Sequence, residues 1–210
     1  MAEADDNTGW RGSREGWLDA ARAALIEGGI GAVKIQPLAA ALALSRTSFY
    51  WFFKDRAALL DALLAEWEAT NTGVIEAAAN AYAETLQEAV LNLLAEFMEG
   101  GGFEARFDFA VRGWAHEEDA VAARVVQVDE RRLAAIRAMF LRFGTDQTEA
   151  DVRARTVYLV QIGYISMQVR EDMQTRLARI PAYIKTYTGA PPTDREMARF
   201  LASVGEEAVP

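Results

Sequence analysis

The chain has 210 residues, 51% of them apolar and 25% charged, with a formal net charge of −9. That length suits one large domain or two small ones, and that composition excludes a disordered polymer. The absence of cysteine excludes a disulfide framework, a thiolate metal site and a cysteine nucleophile.

Residues 1–12 carry Gly9 and Gly12 and no periodicity, so a disordered arm is expected. This acidic, polar start has no apolar signal core, and no apolar run in the chain is long enough to cross a bilayer. A cytoplasmic protein with no membrane partner is expected. From Ser13, an N-cap, Trp17, Leu18, Ala21, Ala24 and Leu25 fall at helical spacings, and Gly28-Gly29 ends the run. A short helix follows over Gln36–Leu42, with Pro37 in its first turn. Ser45 caps a third helix running to about Phe53, and Asp55 caps a fourth running to about Thr70.

Downstream the helical pattern continues. One helix is predicted over Val74–Met98, stopped by the glycines at 100–102. Others are predicted from Phe103 to about Glu117, from Asp119 to about Phe143, and from Thr148 or Glu149 to about Asp172. A shorter helix over 175–188 contains Pro181. Pro191-Pro192 breaks the chain before a last helix ending near Val204. No strand alternation of useful length and no internal repeat occurs, so the fold class is all-α. The expected division is 13–72 as one domain and 73–210 as another.

Charge is distributed unevenly. Between residues 30 and 56, Lys34, Arg46, Lys54 and Arg56 face the single acid Asp55, a local +3 that leaves −12 for everything else. Leu38 and Leu42 share one helix face, and Phe49 and Phe53 share another. With Ala39 and Leu44 they can close a small core. By subtraction, Arg46, Thr47, Tyr50 and Trp51 form an outward stripe. Arg46 can donate twice to guanine, Thr47 can meet a base edge, Tyr50 can reach a phosphate, and Trp51 can pack on sugar or a thymine methyl. Lys54 and Arg56 stand at a helix start suited to phosphate. Lys34 and Gln36 flank the other side, and Ser45 opens the stripe. The pattern reads as a helix-turn-helix that enters the major groove of double-stranded DNA. The alternative reading is a helical small-molecule-binding protein or enzyme in which this segment is structural only.

Residues 13–68 resemble the DNA-binding domain of the TetR family of transcriptional regulators. The resemblance rests on GWLDAARAALIEGGIGAV and IQPLAAALALSRTSFYWFFKDRAALLDALL, most closely on SFYWFFKDRAALLDALLAE. It implies a three-helix helix-turn-helix domain joined by a connecting helix to a helical effector-binding and dimerisation domain. It also implies a homodimer on a near-palindromic operator, released by a small molecule. By position, it places Arg46, Thr47, Tyr50 and Trp51 against DNA, Lys54 and Arg56 on phosphate, and Gln36 near a base. Three residues depart from the family's pattern. Ala43 stands where glycine is usual in the tight turn, Lys34 replaces a hydroxyl cap, and Phe52 stands where histidine is common.

The effector pocket should be apolar with few polar groups. The candidate lining is Phe97, Met98, Phe103, Phe107, Trp114, Tyr158, Ile162 and Met167, which favours an apolar or aromatic ligand. The dimer surface is expected from Ile165 and Val169 with Phe200, Leu201 and Val204, on two helices of each subunit. No enzyme is expected. His116, the only histidine, has adjacent Glu117 and Glu118 that do not converge with it on a helix. No serine has a base at a catalytic spacing. Neither a metal nor a cofactor is expected.

Overall fold

The computed structural model describes residues 12–205, so the arm predicted over 1–12 lies almost wholly outside the described residues. The fold is all-α, with no strand among those residues. Two compact units divide it. The first takes in the described residues up to Ala69 together with Arg106–Ala123, and the second takes in Thr70–Ala105 and the described residues from Arg124 onward.

The first unit begins with α1 (Arg14–Gly28), capped by the Ser13 hydroxyl, which accepts from the Gly16 amide at 3.0 Å. A 3-10 turn over Ile30–Ala32 leads to α2 (Ile35–Ala41), α3 (Arg46–Phe49) and α4 (Arg56–Trp67). Ser45 caps α3 through the Ser48 amide at 3.2 Å, and Asp55 caps α4 through the Ala58 amide at 2.9 Å. Each cap satisfies a helix-end amide that has no partner within the helix. α1 packs on α2 and α4, and α2 packs on α3. The core between them holds Trp17, Leu38, Ala39, Phe49, Phe53 and the leucines of α4. Trp17 meets Phe49 edge-on at 5.3 Å. Leu42 and Leu44 are only half-buried. α7 (Ala105–Ala115) also belongs almost wholly to this unit. The Trp67 indole there donates to the buried Asp108 carboxylate at 3.0 Å, and Arg112 donates to the same carboxylate at 2.7 Å.

The turn between α2 and α3 places Ala43 at φ 55°, a left-handed conformation that crowds its Cβ against the following carbonyl. The Leu44 amide closes the turn on Ala39 at 2.9 Å.

The second unit contains α5 (Gly73–Asn80), α6 (Leu86–Ala95), α9 (Gln147–Ser166), α10 (Met173–Thr188) and α11 (Asp194–Ser203). α8 (Asp119–Arg142) starts in the first unit and runs into the second. One apolar cluster draws on Val90, Leu93, Phe97, Ile136, Phe140, Val157, Ile180, Ile184 and Phe200. α11 opens with a capping box between Thr193 and Glu196.

Three predicted helices are shorter than expected. The helix over Val74–Met98 is instead α5 and α6, because Thr85 caps a new start through the Glu88 amide at 3.1 Å while Glu88 accepts from the Glu84 amide at 2.8 Å. α9 stops at Ser166 because Gln168 turns left-handed at φ 50°, and Asp172 then caps α10. α3 ends at Phe49, with turns carrying the chain on to Phe53.

Replacing Ala43 by glycine removes the Cβ conflict while keeping the turn. Ala43→Gly is expected to stabilise the protein by about 1 kcal/mol, a rise in melting temperature of roughly 2–4 °C at this size. A lowered melting temperature contradicts this reading of the turn.

Candidate nucleic-acid interface

α3 is four residues long, too short to be stable alone. Its conformation is imposed by one buried face. Ser48 and Phe49 are fully buried, and the Ser48 hydroxyl donates to the Ser45 carbonyl at 2.6 Å. The opposite side is therefore turned to solvent. Arg46 and Thr47 are exposed there, Tyr50 is 49% exposed and Trp51 60% exposed. Adjacent exposed aromatics form an apolar patch of the kind that marks an interaction surface.

Lys34, Gln36, Ser45 and Lys54 are also exposed. A groove of about 600 Å³ is lined by Lys34, Ile35, Gln36, Pro37, Ala40, Arg46 and Arg56. It brings the α2 start, the α3 start and the α4 start to one concavity. Lys34 provides no side-chain cap to α2, since an ammonium only donates and cannot accept from the helix amides. Lys34, Arg46 and Lys54 form no ion pair among the described residues. The arrangement is a convex aromatic and basic ridge beside a cationic groove, the shape and charge that fit a duplex edge and its phosphates.

Arg56 is different. It is partly buried, and its guanidinium donates to the Val33 carbonyl at 2.6 Å and to the Ile30 carbonyl at 3.0 Å. It clasps the 3-10 turn to the start of α4. Sequence pattern alone gives no sign of this, since a cation at a helix start looks the same whether it meets phosphate or carbonyl oxygen.

One further cation escaped the sequence reading. Arg14, exposed on the first turn of α1, holds its guanidinium 5.3 Å from the centre of the Phe53 ring. A cation at a helix N-terminus works against the helix dipole, and that mismatch is the only signal the sequence carries for it.

The eight residues suggested for an effector pocket do not fall in one unit. Phe107 and Trp114 are buried in the first. Phe97, Met98, Phe103 and Tyr158 are buried in the core cluster of the second, with Ile162 packed against it. Met167 is 78% exposed. Tyr158 and Phe103 have a specific task. They surround the fully buried Arg132, which donates to the Tyr158 hydroxyl and to the Thr72 hydroxyl, each at 3.1 Å, and lies 5.3 Å from the Phe103 ring centre. The Tyr158 hydroxyl in turn donates to Asp129 at 2.6 Å. A charge taken from water needs such a shell.

Of the residues suggested for a dimer surface, Phe200 is core, whereas Ile165, Leu201 and Val204 are half-buried against it. Val169 is exposed. His116 is exposed just after the end of α7. No described helix is long and apolar enough to cross a membrane.

Residues 18–63 match the sequence model described as bacterial regulatory proteins, tetR family. No curated protein matches the chain. Among solved structures, the fold resembles a transcriptional regulator from Rhodococcus sp. Rha1, with 13% identity, a TM-score of 0.62 and coverage of 90% of this chain and 96% of that one. A protein from Mesorhizobium loti MAFF303099 described as a TetR-family transcriptional regulator gives 16% identity, a TM-score of 0.56, and coverage of 90% and 95%. Another from Rhodococcus sp., described likewise, gives 15% identity, a TM-score of 0.54, and coverage of 91% and 96%.

Because Arg56 ties two elements together, its loss acts first on the fold. Arg56→Ala is expected to lower stability by about 1–3 kcal/mol, since two backbone carbonyls lose a charged donor. Denaturant unfolding measures this. An unchanged midpoint returns Arg56 to a purely surface role.

Proposed function

We propose that the chain is a DNA-binding regulator of the tetR family, a repressor that holds a near-palindromic operator as a homodimer and is released by a small molecule. It acts in the cytoplasm, as a regulator rather than an enzyme. The observation that carries the reading is the exposed Arg46–Thr47–Tyr50–Trp51 surface of α3 and the turn after it, next to Lys34 and Lys54, which form no ion pair among the described residues. In a two-fold dimer, the two α3 helices enter major grooves about 34–36 Å apart, or a multiple of that. Arg46 and Thr47 read base edges, whereas Lys34, Lys54 and the Tyr50 hydroxyl hold phosphates. The acidic remainder of the chain limits adhesion to unrelated DNA.

For the second copy, α9 offers the better surface. Val152 and Leu159 are 56% and 55% exposed, and with Arg155, Thr156 and Val160 they line a shallow groove of about 380 Å³. These positions recur at helical spacing, so they form one stripe. An isologous contact brings this stripe against its own copy. Phe200 keeps to its own core, and Val169 lies at the edge of the contact. The effector, apolar or aromatic in its main body, binds in the second unit and favours a dimer geometry that fits the operator less well. DNA affinity then falls by the ratio of its affinities for the two states.

Two measurements test the reading. On duplexes selected from a random pool, Arg46→Ala should lose about 1–3 kcal/mol at the preferred site and flatten base preference there, whereas Lys54→Ala should weaken selected and random duplexes alike. Equal losses on both duplexes for Arg46→Ala contradict its base-reading role. Leu159→Asp should convert a light-scattering dimer to a monomer, and a wild-type chain that is already monomeric at micromolar concentration contradicts the α9 contact.

A further inference from the structure

Within the second unit, between the C-terminal half of α9 and α10, the core stops being apolar. Tyr187 is 2% exposed, and its O–H has no acceptor among the described residues. Burial pushes its pKa up, so the group stays a neutral O–H at any physiological pH. Its polar neighbour is the buried Gln161 amide. The Gln161 carbonyl oxygen accepts from Arg176 at 3.3 Å, near the long limit for such a bond. The Arg176 guanidinium lies 5.3 Å from the Tyr164 ring centre and forms no ion pair with a carboxylate among the described residues. Glu171 is paired with Arg179, and Asp172 is engaged as the cap of α10. Tyr164 and Tyr183 share one hydrogen bond at 3.0 Å, and Tyr183 stacks on Tyr187 at 5.7 Å.

Donors predominate among the unused groups, although the buried Glu171 Oε1, on the carboxylate paired with Arg179, is an acceptor without a hydrogen-bond partner. The Tyr187 O–H and the remaining guanidinium N–H groups of Arg176 both donate. A buried hydroxyl left without a partner destabilises a fold and is rarely kept without a use. Convergent donors that include a cation are complementary to a carboxylate. The stacked tyrosine rings beside them are complementary to a flat ring.

We propose that this seam binds a small aromatic carboxylate. The carboxylate oxygens accept from Tyr187 and Arg176, displacing the long Arg176–Gln161 contact, and the ring of the ligand lies against the tyrosines. This rests on the reading of the chain as an effector-released repressor and gives the effector a chemical class: an apolar ring carrying one negative charge.

The test titrates the full-length protein, without DNA, with benzoate, 4-hydroxybenzoate and phenylacetate, using benzamide as the neutral counterpart. Calorimetry and thermal melting give the readouts. At least one acid is expected to bind and to raise the melting temperature, with benzamide tenfold or more weaker. Tyr187→Phe and Arg176→Gln are each expected to weaken the acid at least tenfold. Tyr187→Phe without ligand should melt at or above the wild type, because it deletes an unsatisfied hydroxyl. The proposal is overturned if no acid binds the wild type, or if Tyr187→Phe binds the acid as the wild type does. It is also overturned if Tyr187→Phe melts clearly lower, which assigns the hydroxyl to the fold through a buried water. Operator affinity is then measured with and without the acid. Acid binding through Tyr187 and Arg176 with no change in operator affinity keeps the carboxylate site and contradicts the effector-release reading instead.

Discussion

The burial of Phe49 governs the rest of the interface. A four-residue helix has no independent stability, so the orientation of α3 is set by what its inner side is packed against. Phe49 meets Trp17 edge-on and stacks with Phe53, while Ser48 closes a hydrogen bond to Ser45 beside it. Removing a buried phenylalanine of this kind costs about 3–5 kcal/mol, more than any surface interaction in this region supplies. With Ser48 and Phe49 inside, Arg46, Thr47, Tyr50 and Trp51 have nowhere to go but outward. The chemistry of the exposed side thus follows from the packing of the other side.

The same economy separates cations that hold the protein together from cations left for a partner. Arg56 and Arg132 each use hydrogen bonds to neutral oxygen atoms inside the chain, and Arg112 is committed to the buried Asp108. Lys34, Arg46 and Lys54 have no such commitment among the described residues. The local +3 of residues 30–56 therefore overstates the free positive charge on that segment. Arg14, outside the segment, restores one cation next to Phe53.

Much of the fold was legible in the residues. Ser13, Ser45 and Asp55 declare their helix starts through side chains that can only cap, and all three cap as expected. The alternation of buried and exposed positions around α3 followed from two aromatics four apart. Ala43 was marked by its turn position, and its positive φ bears that out. Other features were hidden for physical reasons. The break between α5 and α6 lies in a sequence whose helical periodicity runs straight through it, and only the Thr85–Glu88 cap marks it. That Arg106–Ala123 packs with the N-terminal unit depends on tertiary contacts that periodicity does not encode. The partners of Arg56 are backbone carbonyls, which have no residue identity to read. Aromatic residues nominated for a pocket, such as Tyr158 and Phe103, turned out to enclose Arg132, because rings that suit a ligand equally suit a buried guanidinium.

The central claim is that the open side of α3 and the lysines beside it meet a duplex. The most direct measurement is the affinity of the full-length protein for a selected duplex as a function of salt concentration. Each phosphate neutralised contributes about 0.9 to the slope of log affinity against log salt, so a dimer using several cations per subunit should give a fall several units steep. A flat dependence, or no binding to any duplex from the pool, contradicts the claim.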